Sequence, residues 1–109
     1  MNKAEALNIA MTTIAHLGGA KVLHTMVNAR NFAHSDNGAI SFQISGNKQM
    51  NFVRVKLNGN DLYDLEGLYV TVKGAKTVAE ETDIFCEDLQ EAFERLTGLC
   101  LTIPNVIFP

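Results

Sequence analysis

The chain has no tryptophan, only two prolines and only two cysteines in 109 residues. Both prolines, Pro104 and Pro109, stand near the C-terminus, so no Pro-rich linker divides the sequence before them. Cys86 and Cys100 form no CxxC pair and have no third thiol or paired histidine at ligand spacing, which excludes the common zinc modules. They read as reduced core residues, since an unpaired cysteine packs as a small hydrophobe. GxGxxG and GxxxxGK[ST] are both missing, so nothing cradles a phosphate. His16, His24 and His34 show neither HxH nor HExxH spacing, and His34-Ser35-Asp36 are too close in sequence to form a nucleophile relay by themselves. No long apolar run occurs. MNKAEALNIAMTTIAHLGG is broken by polar side chains and reads as neither a secretory leader nor a membrane span, which points to a reducing cytoplasm.

What is present is the balance of a folded chain. Apolar residues make up 47% and charged residues 19%, with a net charge of −3, and the length suits one domain over residues 1–109. In the first segment Leu7, Met11 and Ile14 recur at helical spacing beside Ala4, Ala15 and Leu17, and Gly18-Gly19 ends the run. Val22/Met26 and Leu23/Val27 predict a second short helix over Ala20 to Ala29, although the β-branched content also suits a strand. Ser35-Asp36-Asn37-Gly38 is a turn by its chemistry. Ile40, Phe42 and Ile44 then alternate with polar residues, as do Val53, Val55 and Leu57 after a second turn.

Asn58-Gly59-Asn60 predicts a tight hairpin turn, and a long third strand follows, with Gly67 shifting its register so that Leu68 and Val70 face the core. Phe85, Leu89, Ala92, Phe93 and Leu96 form the stripe of a last helix, capped by Thr82 or Asp83 and stopped by Gly98. The fold class expected is α+β: one or two helices, a three-stranded antiparallel sheet and a C-terminal helix, in α-β-β-β-α order. Its expected core is Leu7, Met11, Ile14, Ile40, Phe42, Val53, Val55, Val70, Phe85, Leu89 and Phe93. The apolar tail Leu99 to Pro109 is expected to pack on its own domain or on a second copy, giving a monomer or a homodimer.

Three clusters invite a chemical reading. Asp61, Asp64 and Glu66 surround a turn, but two of them project side by side from one strand face and cannot close around a cation, so they read as solvated turn residues. The final helix carries Asp83, Glu87, Glu91 and Glu94 on its outside, ahead of the first cation, Arg95. Acids in a first turn favour the helix dipole, whereas acids continuing past it gain nothing there, so this row is a candidate partner-binding face. The opposite sheet face gathers Phe52, Arg54, Lys56, Tyr69 and Lys73, which could stack bases and hold phosphates. No catalytic residue, metal ligand or cofactor is assigned.

With LGGAKVLHTMVNARNF, SDNGAISF, NFVRVKLNGNDLYDLE and FCEDLQEAFERLTGL in this order, the chain resembles small accessory proteins of tailed phages and prophages over about Leu17 to Leu99. The resemblance implies a non-enzymatic protein that acts by binding, including inhibition of a host protein or defence nuclease in the manner of anti-CRISPR proteins. It transfers no catalytic residues. Gly67 departs from the pattern, which has a bulky apolar or aromatic residue there, as does the tail beyond Leu101. The helix, three-strand, helix order also matches double-stranded RNA-binding domains, but these need cations at the start of the last helix, where this chain has Glu80, Glu81, Asp83, Glu87 and Asp88. The expectation is therefore a cytoplasmic binder of a host protein through its acidic surface, with single-strand nucleic-acid binding on the open sheet face as the alternative and no membrane association.

Overall fold

A computed structural model describes residues 2–101. Two helices come first, α1 (Lys3–His16) and α2 (Ala20–Val27). Five strands follow, β1 (Arg30–His34), β2 (Ile40–Gln43), β3 (Phe52–Leu57), β4 (Tyr63–Thr71) and β5 (Gly74–Ile84). A 3-10 turn (Cys86–Asp88) then leads into α3 (Leu89–Thr97). The strands form one antiparallel sheet in the order β1-β2-β3-β4-β5, each paired with its sequence neighbour. The α+β class is as expected, but the sheet has five strands, not three: β1 and β5 extend it on either side of the predicted trio. Residues 20–27 are helical, and Asn28 closes that helix in the left-handed conformation with φ 56°.

The register places Ile40, Phe42, Val53, Val55, Leu65 and Tyr63 on one face, where all three helices cover them. Phe42 and Phe93 stack across this layer with centroids 6.1 Å apart, in the range where aromatic pairs add to simple burial. Leu17, Leu23 and Leu89 complete the centre with no solvent exposure.

α1 begins where Asn2 accepts the Glu5 N–H at 2.8 Å and donates back to the Glu5 carboxylate at 3.2 Å, a reciprocal cap. It does not bury the predicted stripe. Ala6, Ala10, Thr13 and Leu17 face the core, leaving Leu7 and Met11 46% and 60% exposed. Small side chains let the helix lie close to the sheet, and Gly38 shows how close. A Cβ there would stand 2.8 Å from the Ile9 side chain and 3.2 Å from the Ala6 carbonyl, and its φ of +85° independently disfavours other residues. Thr13, fully buried, satisfies its hydroxyl on the Ile9 carbonyl at 2.8 Å.

The C-terminal part differs more from expectation. Asp83 caps no helix: β5 runs through Thr82 and Asp83 to Ile84, and α3 starts only at Leu89. Phe85, expected in the core, is 56% exposed. Gly67 causes no register shift, since it pairs with Val53 while Leu68 pairs with Phe52. The irregularities lie opposite, on β5, between the partners of Tyr63 and Leu65 and between those of Gly67 and Leu68. Leu68 and Val70 therefore face away from the helices, and Tyr69 lies on the helix side. Gly67 is needed for a close approach: a Cβ would meet Met50 Sδ at 2.7 Å and Leu96 Cδ2 at 3.1 Å. The space that a bulky residue would take is already filled by those two side chains.

The β3–β4 connection is a hairpin but not a tight Asn-Gly turn. It is a longer loop in which the positive φ falls on Asp61, at 59°, rather than on Gly59. Asn58 organises it, accepting the Asn60 N–H at 2.8 Å and donating to Asp64 at 3.0 Å and Asp83 at 2.9 Å. Both cysteines are free, as expected, but exposed rather than in the core. Of the apolar tail, Leu101 is buried and Leu99 half-buried. Its remainder, Thr102 to Pro109, lies outside the described residues, and with it the expected packing of Ile103, Val106, Ile107 and Phe108.

Candidate functional site

Two surfaces were expected to carry function, and the fold treats them differently. The acidic set is not one helical row. Asp83 sits near the end of β5 in a left-handed conformation with φ 57°, Glu87 lies in the 3-10 turn, and only Glu91 and Glu94 belong to α3. Asp83, Glu87 and Glu91 are exposed. Glu94 is half-buried and turned inward, its carboxylate accepting the Leu101 N–H at 2.8 Å, so it secures the chain after α3.

From Glu80 to Asp88 the chain carries five acids and no cation. The next positive charge after this stretch, Arg95, is already committed: its guanidinium lies 2.6 Å from Glu81 and 3.9 Å from Glu91. The Glu81 hydrogen bond and then its charge raise the Arg95 pKa further, so this cation stays protonated. Within the acidic stretch Phe85 projects into solvent. Its exposure follows from the chain path. Ile84 turns inward to pair with Tyr63 and is buried, Leu89 enters the core at the start of α3, and the side chains between them point outward. The result is an exposed aromatic ring flanked by carboxylates, the arrangement of an apolar anchor inside a charged rim. Reading Phe85 as part of the helix stripe concealed it. The signal available was that Ile84 and Phe85 are consecutive, and an edge strand cannot bury both.

The open sheet face forms a shallow trough of about 560 Å³ to which all five strands contribute. Phe52, Leu68 and Val70 make its apolar floor, with Arg54 and Lys56 along one side. Leu68 is only 5% exposed although it lies on the face away from the helices, which reflects how tightly this floor packs. Phe52, Arg54 and Lys56 share the face as expected. Tyr69 does not, and Lys73 lies in the turn after β4. The cations are also compensated. Arg54 pairs with Glu66 at 3.3 Å, Lys56 stands opposite Asp64 in the register, and Thr77 donates to Glu66 at 2.6 Å. A face that holds nucleic acid works by an excess of positive charge released from counterions, and the balance here is close to neutral.

Asp64 serves the fold, accepting from Asn58 and from the Asp83 N–H at 3.1 Å. His16 Nδ1 lies 2.8 Å from the Tyr63 hydroxyl, packed edge-on against its ring. Burial raises the Tyr63 pKa above 10.0, so the phenol is held neutral. Among the described residues no helix is long and apolar enough to span a membrane. Compared with protein-family models, with curated proteins and with solved structures, the chain matches none.

Proposed function

We propose that the protein is a non-catalytic binding protein of phage accessory type, which inhibits a host protein or defence nuclease by docking its acidic end on a basic surface. The observation that carries this reading is Phe85, exposed at 56% between Asp83 and the pair Glu87 and Asp88. An aromatic ring exposed in this way costs solubility, and in a binding protein it supplies the desolvated anchor that accounts for most of the binding energy. The surrounding carboxylates raise the encounter rate with a cationic partner and reject acidic ones. The open sheet face supports the nucleic-acid alternative less well, because its two cations sit opposite acids and Tyr69 faces away from Phe52.

The test is affinity capture from a bacterial lysate on the immobilised chain, with and without nuclease. A protein partner retained after nuclease and released by salt is the expected result, and Phe85→Ala should lower its affinity by roughly thirtyfold, the cost of a hot-spot truncation. Loss of every partner on nuclease treatment would transfer the function to nucleic acid.

A further inference from the structure

The trough on the open sheet face has the parts of a small-ligand site, and its own charge differs from that of the face as a whole. At about 560 Å³ it falls within the range of about 300–1,000 Å³ typical of small-molecule pockets. It exists because its flanks are small: Ala33 and Ser41 on one side and Ala75 on the other leave the space above the floor unfilled. Phe52 and Leu68 are neighbours in the register, and Val70, opposite Ala75, continues the floor. Arg54 follows Phe52 on the same face of β3, and Lys56 follows Arg54. The trough is thus apolar at one end and cationic at the other.

Among the described residues that line the trough there is no carboxylate. The acids that balance the face stand outside it and are engaged there. Glu66 meets Arg54 at Nε and also accepts from Thr77, and a contact at Nε leaves the Nη donors of the guanidinium for a second anion. Asp64 accepts from Asn58 and from the Asp83 N–H, and Lys56 enters no ion pair among the described residues. A polyanion needs a surplus of cations over a long path, which this face lacks. One anionic head needs only two donors with an apolar surface beside them. We propose that the trough is a binding site for an amphipathic carboxylate, a single anionic head on an unbranched apolar chain. The head lies between Arg54 and Lys56, held by charge-assisted hydrogen bonds, and the chain covers Phe52, Leu68 and Val70. Glu66, the register partner of Arg54, and Val70 lie four residues apart on β4, about 13 Å along the strand, a length that suits the chain of decanoate. Charge selects the head, since an ammonium there would meet like charge. The site goes beyond the acidic-end reading and does not depend on it, because neither Phe85 nor Glu87 lines the trough.

Isothermal titration calorimetry of the full chain with decanoate at neutral pH tests the proposal, with decyltrimethylammonium and butyrate as comparison ligands. Saturable one-to-one binding of decanoate is expected, and none of the cation, which has the same chain, or of butyrate, which has the head without it. Lys56→Gln and Arg54→Gln, both at exposed positions, should each weaken decanoate binding by roughly fivefold, and Lys56→Gln should leave the unfolding temperature unchanged. In a nuclear magnetic resonance titration the amide shift changes should centre on Phe52, Arg54, Leu68 and Val70. No saturable binding at millimolar decanoate overturns the proposal. So does equal binding of decyltrimethylammonium, indifference to both substitutions, or shift changes confined to the apolar groove beside α2 lined by Lys21, Val22 and Met26.

Discussion

Along its inner half, Tyr63 to Gly67 and Ala79 to Ile84, the β4–β5 ribbon lies beneath α3; along its outer half, Tyr69 to Val78, it runs out into solvent. The inner half buries Tyr63, Leu65 and Ile84 and receives Leu96 of α3 against Gly67. In the outer half Tyr69 is 44% exposed and Val72 fully so. The two halves also differ in charge: the outer carries Lys73 and Lys76 and no acid, whereas the inner carries Glu80, Glu81 and Asp83. One continuous pair of strands thus does two jobs. Where it is covered its side chains set the stability of the fold, and where it is bare they set what the molecule can approach.

The comparison is broken most severely at α3. Phe93, fully buried against Phe42, should cost about 3 to 5 kcal/mol when truncated to Ala, a large part of the stability of a small domain. Chemical denaturation measures this directly, and an unchanged midpoint would remove α3 from its place over the inner half. Gly67→Phe should be milder, about 1 to 3 kcal/mol, because Met50 and Leu96 must move aside to admit the ring. The same denaturation series checks it, and stabilisation would show that the space is open.

The boundary between the halves is held by Asn51. Its side-chain amide copies a backbone peptide, donating to the Val70 carbonyl at 2.8 Å and accepting the Val70 N–H at 2.7 Å, beyond the point where β3 begins. Asn51→Ala should cost about 1 kcal/mol and accelerate hydrogen exchange at Val70 and outward while sparing Leu65. Equal acceleration along the whole ribbon would contradict a two-part ribbon.

The smallest effect concerns Tyr63 and appears only at high pH. Burial raises its pKa in the folded chain above that of the unfolded chain, so the folded state holds the proton more tightly. Its contribution is therefore complete below the unfolded value and is lost as the pH rises through the folded one. Unfolding temperature should fall from about pH 10 upward, and Tyr63→Phe should flatten that decline without abolishing the fold.

The parts of the fold legible in the sequence are those with one wet face and one dry face. β2, β3 and the first half of β4 alternate cleanly because helices cover one side of them, and Leu89, Ala92, Phe93 and Leu96 mark α3 for the same reason. β1 and β5 are edge strands with most of their side chains exposed, so no period-two signal survives in Arg-Asn-Phe-Ala-His or in Gly74 to Asp83. They are strands because a neighbour supplies hydrogen bonds, which composition does not record. On α1 the signal misled: Leu7 and Met11 form the more hydrophobic stripe, but Ala6, Ala10 and Thr13 permit the closer approach. At the candidate site the acids were visible as a run, while Phe85 at their centre was hidden by its fit to a helical period that starts four residues later.

The acidic end can be set directly against the outer half of the ribbon. Binding of the nuclease-resistant protein partner captured from lysate would be measured by titration calorimetry for Glu87→Lys/Glu91→Lys at one end and Tyr69→Ala/Val72→Ser at the other. The acidic-end variant should lose roughly tenfold or more in affinity, and the ribbon variant should bind as the unaltered chain does. Full affinity in the first and a loss in the second would place recognition on the bare ribbon and contradict the proposed role of the acidic end.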